Sequence, residues 1–125
     1  MIRIAIAGCG EHSRSSHAAP LARYAAAHPN KIELVAACDL NLDRAVEFCR
    51  AFGFVRPYKD LDEMLSVEKP DACVSVMPIE KIVEVGIKLL ERHLPCVIEK
   101  PLGTSLTEIE KLGEVARETQ TPHMV

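Results

Sequence analysis

Tryptophan is absent from this 125-residue sequence, and aromatic residues make up only 4% of it. Long apolar runs are also missing, since none approaches the roughly 18 residues that a membrane-spanning helix needs. The N-terminus opens without a charged and then apolar leader, so we expect no secretory signal and no membrane partner. Lys and Arg number 15 against 18 Asp and Glu, giving a formal net charge of −3. That balance disfavours electrostatic binding to nucleic acid or to anionic lipid.

Paired cysteines are lacking as well. The odd number of cysteines and the absence of any C-x-x-C pair argue against a disulfide framework and a structural zinc site. Five histidines are present, but they are scattered without metal-ligand spacing, so no metal site is expected. We expect reduced thiols and a cytoplasmic protein. The cysteines are Cys9, Cys38, Cys49, Cys73 and Cys96.

What the sequence does contain is an alternation of short apolar runs and longer segments of helical period. Hydrophobic residues make up 48%, enough for the core of one domain. Predicted strands lie at 2–7, 32–38, 54–58, 71–77, 96–98 and 123–125. Predicted helices lie between them, at about 15–27, 41–52, 60–66, 79–92 and 105–118. This order predicts an α/β, doubly wound, mainly parallel sheet of about six strands with helices on both faces. Because the last strand reaches the end of the chain, we expect a piece of a longer protein.

A glycine loop follows the first predicted strand. It reads G-x-G-x-x-S, one substitution from the fingerprint of dinucleotide-binding folds, in which a tight turn brings a diphosphate to a helix N-terminus. A glycine turn without a ligand remains the alternative. A helix N-terminus can also lower a thiol pKa, here that of the loop cysteine. The candidate cofactor-binding residues are Gly8, Cys9, Gly10, Glu11, His12 and Ser13.

Asp39 ends the second predicted strand. An acidic residue at this place bonds the adenosine ribose hydroxyls and repels a 2′-phosphate, which favours NAD. Arg44 is close enough in sequence to leave NADP open. Alternatively, or in addition, Asp39 caps the helix that follows Asn41.

Glu99, Lys100 and Pro101 directly follow the fifth predicted strand, and Met77 and Pro78 lie where the fourth ends. Ligands of open parallel sheets bind outside the carboxyl ends of the strands, which places these residues near the cofactor. Lys100 is the candidate catalytic residue, because a lysine there can donate to a substrate hydroxyl. The alternative for Lys100 is a solvated lysine before a turn proline. The alternative for Met77 and Ile79 is a role in the core and at the start of the next helix.

Three runs together resemble a known family. They are Ile4–Gly10, Glu33–Asp39 and Val97–Leu102, the last of which contains E-K-P. The whole chain is similar to the N-terminal domain of the glucose–fructose oxidoreductase, inositol dehydrogenase and rhizopine-catabolism (Gfo/Idh/MocA) family. The resemblance implies an NAD(P)-binding domain of an oxidoreductase that transfers hydride between the nicotinamide and a sugar, cyclitol or related small molecule.

The resemblance also implies that Lys100 contacts the nicotinamide ribose and the substrate, with Pro101 holding the lysine backbone. The family's second domain, which carries the substrate pocket, is not in this sequence. We therefore expect residues 1–125 to form a dinucleotide-binding domain that needs the second domain to bind substrate and is inactive alone. A stand-alone nucleotide-binding or regulatory module without catalysis is the alternative.

Two departures from the family pattern stand out. The histidine usual early in the first helix comes one residue late, as His17, which suggests a one-residue insertion. After the fourth strand the family commonly shows T-P-N-x-x-H, and only Pro78 matches here. This second departure affects contacts expected on the nicotinamide side.

Overall fold

The computed structural model describes residues 1–125 as six strands and five α-helices, with one π-helix. The strands are β1 Ile2–Ala7, β2 Ile32–Cys38, β3 Arg56–Tyr58, β4 Ala72–Ser75, β5 Cys96–Ile98 and β6 His123–Met124. The α-helices are α1 Ala19–Ala27, α2 Leu42–Phe52, α3 Leu61–Glu68, α4 Ile79–Glu91 and α5 Leu106–Thr119. The π-helix Ser13–Ala18 runs directly into α1. None of the helices combines the length and the apolar character needed to cross a bilayer.

All six strands pair in parallel, in the order β3-β2-β1-β4-β5-β6. The chain adds two strands on one side of β1 and then crosses to add three on the other side. This order confirms the predicted doubly wound α/β fold, in which the direction of winding switches between β1 and β4. The predicted strands and helices are all present, with boundaries shifted by a few residues.

Two hydrophobic clusters cover the two faces of the sheet. The larger contains 17 buried residues and includes Met64 of α3 and Leu89 of α4. The smaller contains 11 and includes Ala18 of the π-helix and Phe48 of α2. Because helices cover both faces, the strands between them must be apolar on both sides, which explains their nearly continuous hydrophobic runs.

The first helical segment begins earlier than the sequence predicts. Helical backbone starts at Glu11 instead of near Ser15, and the first helical hydrogen bond runs from the Arg14 N–H to the Gly10 carbonyl over 3.0 Å. The residues at its start are mostly polar, so their spacing carries no apolar signal. The earlier start places the helix N-terminus directly on the glycine loop.

The start and end of α2 follow the sequence prediction. The Asn41 side chain accepts a hydrogen bond from the Arg44 N–H at 3.2 Å, as an N-cap does. Gly53 ends the helix with a φ of 79°, in the left-handed region that glycine adopts without strain. These two caps fix the helix that follows Asp39.

A buried carboxylate joins three elements at the amino-terminal edge of the sheet. Glu68 accepts hydrogen bonds from Tyr58 Oη at 2.6 Å and Arg56 Nη1 at 2.7 Å, and its other oxygen lies 3.3 Å from Arg3 Nη2. Burial alone would raise the pKa of Glu68, but the hydrogen bonds from Tyr58 and Arg56 outweigh it and hold the pKa below its usual value of 4.5. The folded state therefore favours the ionised carboxylate.

This network predicts an acid-sensitive contribution to stability. Since folding lowers the pKa of Glu68, its contribution is complete above about pH 4.5 and is lost as the pH falls through the folded-state value. We expect Glu68→Gln to cost about 2 kcal/mol in the free energy of unfolding near neutral pH, and less at about pH 3. Urea unfolding at both pH values measures this. Glu63→Gln, on an exposed part of α3, is the control, and an equal loss for Glu68→Gln at both pH values contradicts the assignment.

Candidate functional site

The register of the parallel strands aligns the sequence motifs at one edge of the sheet. Ala7 of β1 pairs with both Cys38 of β2 and Ser75 of β4, and Ser75 pairs with Ile98 of β5. The residues that follow these positions therefore emerge side by side, in the order Asp39, Gly8, Val76 and Glu99. Four segments distant in sequence thus meet at the carboxyl ends of the strands.

Gly8 makes the turn that leads out of β1. Its φ of 98° lies in the region that side chains rarely adopt, and its N–H donates to the Cys38 carbonyl at 2.8 Å. A Cβ built at Gly8 would overlap the carbonyl oxygen of Val76. At Gly10, by contrast, a Cβ would meet no atom within 4 Å. Gly8 is therefore required by the fold, whereas Gly10 leaves room beside the loop.

The helix N-terminus beyond the loop presents backbone donors. The first four N–H groups of a helix have no partner within it. Here no backbone acceptor in the chain receives the N–H groups of Gly10, Glu11, His12 or Ser13. Ser13 is fully buried, as expected for the small third residue of the fingerprint, and its Oγ has no hydrogen-bond partner. Together with the helix dipole, these groups suit an anion.

Asp39 is fixed by two backbone groups. One carboxylate oxygen accepts from the Cys9 N–H at 3.0 Å, and the other accepts from the Asn41 N–H at 2.9 Å. Arg44 Nη1 lies 3.9 Å away. Asp39 therefore ties the glycine loop to the turn before α2, while Asn41 itself caps the helix. The side chain keeps 13% of its surface exposed, at the edge of the loop.

The helix N-terminus does not lower the thiol pKa of Cys9. The side chain is buried, and its Sγ lies 3.5 Å from the Cys38 carbonyl oxygen. Burial raises the pKa of the Cys9 thiol well above its ordinary value, and the nearby Asp39 carboxylate raises it further. Cys9 can therefore contribute its backbone to the loop, but its thiol is a packed, protonated group.

Glu99 contacts two histidines from the first helical segment. Its Oε2 lies 2.6 Å from His17 Nε2 and 3.2 Å from His12 Nε2. The hydrogen bond from His17 lowers the pKa of Glu99, and despite partial burial the pKa stays below its usual value, with a further contribution from His12. Glu99 and His12 were both predicted from the sequence as candidate site residues, whereas the contact of His17 with them was not.

Lys100 is exposed beside this group. Its Nζ forms no ion pair or hydrogen bond within the chain. The Lys100–Pro101 peptide bond is cis, which the sequence left open. Pro101 lies just outside the cavity described next, whereas Lys100 lines it, as do Met77 and Pro78 at the end of the fourth strand segment.

One cavity of about 870 Å³ joins these residues. It brings together every predicted site residue except Pro101: Gly8, Cys9, Gly10, Glu11, His12, Ser13, Asp39, Met77, Pro78, Glu99 and Lys100. The volume is in the range of small-molecule and cofactor pockets. The glycine loop, Asp39 and the residues that follow the fourth and fifth strands therefore line a single pocket.

Several charged residues of the cavity wall were not predicted from the sequence. Lys59 and Asp60 follow β3, whose carboxyl end opens on the same edge of the sheet. Lys81 and Lys88 come from α4, and Lys88 bonds Asp62 at 2.9 Å. Only the position of Lys59 and Asp60 in the sequence could have indicated that they line the cavity, because they directly follow a predicted strand, as Asp39 does.

A dinucleotide fits the groups that the cavity presents. Gly10 leaves space against the backbone, and the unpaired N–H groups of the helix N-terminus offer donors to a diphosphate. Asp39 offers carboxylate oxygens to ribose hydroxyls at one end. Lys100 offers a free ammonium at the other. The arrangement is that of a dinucleotide site at a topological switch point.

Comparisons with known proteins agree with this geometry. The model of the Gfo/Idh/MocA family, described as an oxidoreductase family with an NAD-binding Rossmann fold, matches residues 2–125. The chain is 28% identical over 116 residues to D-glucoside 3-dehydrogenase of Escherichia coli (strain K12), covering 93% of this chain and 32% of that protein.

Solved structures show the same relationship. WlbA dehydrogenase from Bordetella pertussis, in complex with NADH and UDP-GlcNAcA, superposes with a TM-score of 0.80 at 27% identity, over 96% of this chain and 36% of that one. Myo-inositol 2-dehydrogenase from Lactobacillus plantarum superposes with a TM-score of 0.81 at 25% identity, over 98% and 35%. The chain spans about a third of the length of each relative. It belongs to the Gfo/Idh/MocA oxidoreductase family and comprises the family's NAD-binding Rossmann fold.

Proposed function

We propose that this chain is the cofactor-binding part of a nicotinamide-dependent dehydrogenase that acts on a hydroxyl group of a sugar, a cyclitol or a related small molecule. The observation that carries the proposal is the single cavity that joins an anion-binding helix N-terminus, Asp39 and Lys100. In this assignment the backbone N–H groups from Gly10 to Ser13 bind the diphosphate. The cofactor supplies hydride transfer when it is bound.

Asp39 supports NAD as the preferred cofactor. Its carboxylate is held in place by the Cys9 and Asn41 N–H groups, so it cannot turn away from a ribose without breaking both bonds. A 2′-phosphate would bring a second negative charge against it. Arg44 lies close enough to offset part of this repulsion. NAD is therefore favoured, and NADP is disfavoured rather than excluded.

Lys100 is the proposed catalytic residue. Its ammonium is unpaired and lines the cavity at the end of β5. In alcohol oxidation the hydroxyl proton must be removed as hydride leaves the carbon, and in reduction a proton must be returned to the oxygen. In this proposal the Lys100 ammonium gives a proton to the oxygen in reduction, and the neutral amine takes the hydroxyl proton in oxidation. Its role is tested by turnover of a Lys100→Met variant in a protein that also carries the substrate-binding part.

The substrate class rests on the relatives. One is a D-glucoside 3-dehydrogenase, one was crystallised with a nucleotide sugar, and one is a myo-inositol dehydrogenase. All three act on, or bind, a polyhydroxylated ring. Because the chain spans about a third of their length, we propose that the substrate contacts come largely from a second domain.

Calorimetric titration of the chain with NAD and with NADP tests the proposed cofactor site. We expect NAD to bind more tightly. Asp39→Asn removes the charge, and we expect it to raise the affinity for NADP relative to NAD by about tenfold, or about 1.4 kcal/mol. Asp43→Asn, in the first turn of α2, is the matched control and leaves the ratio unchanged.

Three other results of these titrations would each contradict a different part of the proposal. Tighter binding of NADP by the unsubstituted chain would reverse the cofactor preference. An unchanged ratio in Asp39→Asn would remove Asp39 from the ribose site. Failure of a folded chain to bind either dinucleotide would overturn the assignment of the cavity.

A further inference from the structure

Three side chains able to bind a metal ion converge beside the cavity. The Nε2 atoms of His12 and His17 both approach the same oxygen of Glu99, Oε2, at 3.2 and 2.6 Å. The three ligand atoms all lie within 4.8 Å of one another. The side chains are 58%, 20% and 19% exposed respectively, so an ion can reach them from solvent while two of them stay largely fixed by the fold.

The π-helix explains how two histidines five residues apart reach one point. In an α-helix the neighbours on one face are three or four residues apart, and a spacing of five turns a side chain away. A π-helix forms i→i+5 hydrogen bonds, which bring residues five apart close together. The π-helix covers Ser13–Ala18, and the rings of His12 and His17 meet edge to face with centroids 5.9 Å apart. Metal-ligand spacings on a helix are usually judged by α-helical periodicity, in which His12 and His17 do not share a face. The pair was therefore not recognised as a metal-ligand spacing in the sequence.

Neighbouring groups orient the candidate ligands. Ser16 Oγ lies 3.3 Å from His12 Nδ1, so the hydroxyl can accept a hydrogen bond from Nδ1–H in the tautomer whose Nε2 lone pair would bind a metal ion. Partners of this kind, which fix the tautomer and the ring orientation, accompany most metal-bound histidines. The Lys100 N–H lies 3.4 Å from the other Glu99 oxygen, Oε1, which leaves Oε2 toward the two rings.

We propose that His12, His17 and Glu99 form a binding site for a divalent transition-metal ion, best matched by Zn²⁺. Two imidazoles and one carboxylate are a recurrent set for zinc, with bonds of about 2.0–2.2 Å, whereas Mg²⁺ and Ca²⁺ prefer oxygen ligands alone. Three protein ligands leave at least one position for water or a ligand oxygen. Because His12 and Glu99 line the cavity, that position faces it. The site adjoins the proposed dinucleotide site and shares His12 and Glu99 with its cavity, but it uses their side chains for a metal ion, which the proposed function does not require.

The test is a calorimetric titration of the chelator-treated chain with Zn²⁺, without dinucleotide. We expect saturable binding of one ion per chain. His12→Ala removes an exposed ligand, and we expect it to weaken Zn²⁺ binding at least tenfold, because loss of an outer-shell partner alone typically costs about 10–100-fold. Glu99→Gln is a second variant with the same expected direction. His28→Ala, at the end of α1, is the matched control and leaves the affinity unchanged.

A parallel titration with Co²⁺ identifies the ligands by absorption. Nitrogen and oxygen ligands give visible bands without the intense near-ultraviolet band that a thiolate adds. All five cysteines are buried, so we expect no thiolate band. Equal affinity in the unsubstituted chain and in His12→Ala, a thiolate band, or no saturable binding would each overturn the proposal. None of these results bears on NAD binding, which is measured separately.

Discussion

Replacement of Gly8 by alanine is expected to destabilise the chain by about 2–6 kcal/mol, which adds the cost of a strained φ to that of a steric overlap. The φ of 98° is unfavourable for any side chain, and the new Cβ would overlap the Val76 carbonyl. That carbonyl belongs to backbone packed beside β1, since the Val76 N–H donates to the Ala7 carbonyl at 2.8 Å. Neither the backbone at residue 8 nor the Val76 carbonyl can move without disturbing the pairing of β1 with β4. A loss of this size is a large part of the total stability of a small domain.

Alanine substitutions at two other glycines separate the cost of the strained φ from the cost of the steric overlap. Gly53→Ala meets no atom within 4 Å but retains a φ of 79°, so it measures the strain alone, about 1 kcal/mol. Gly10→Ala has neither a positive φ nor a close contact, and it should cost a few tenths of a kcal/mol. Urea unfolding followed by circular dichroism gives all three values. A cost for Gly8→Ala no greater than that for Gly53→Ala would contradict the close approach of Gly8 to Val76.

Replacement of Gly10 by tryptophan is expected to abolish dinucleotide binding while leaving the fold intact. The indole would occupy the space beside the loop, directly in front of the unpaired N–H groups of the helix N-terminus. We expect the NAD affinity to fall at least 100-fold, about 2.7 kcal/mol, because the diphosphate can no longer approach the backbone. Calorimetric titration with NAD measures the loss.

Gly10→Ala gives the graded comparison for this experiment. Its single methyl group intrudes less, so its NAD affinity should lie between those of the unsubstituted chain and Gly10→Trp. Unfolding of the tryptophan variant is measured in parallel, and we expect a midpoint close to that of the unsubstituted chain. A folded Gly10→Trp that binds NAD normally would show that the diphosphate does not lie against this helix N-terminus.

The fold, and the grouping of most candidate site residues around one cavity, could be predicted from the sequence because the residues that follow parallel strands meet at one edge of the sheet. Gly8, Asp39 and Glu99 each follow an apolar run, and the common direction of the strands brings such ends to one edge. The caps of α2 were equally readable, since Asn41 and Gly53 act within a few residues of their own positions. Local chemistry and strand direction together account for the agreement.

Three features of the site could not be predicted, because they depend on contacts between residues that are distant in sequence. The contact between His17 and Glu99 spans 82 positions and depends on a π-helix, whereas helix patterns assume 3.6 residues per turn. The burial of Cys9 depends on packing beneath the loop, and it raises the thiol pKa, which a helix N-terminus alone can lower. Lys59 follows β3, and Lys81 and Lys88 belong to α4. These residues line the cavity because of how the chain folds after β3, which no local pattern in the sequence shows.

The π-helix also has a consequence for how such a chain can change in length. The resemblance to the family suggests that His17 comes one residue late, and a π-helical segment is one way in which a helix accommodates one extra residue. Ala18 remains fully buried at its end, and Gly10 still accepts the first helical bond at its start. We therefore expect an insertion here to leave the strand before it and the helix after it in place. Its effect then falls on the side chains that face Glu99, which are the residues from which the metal site is proposed.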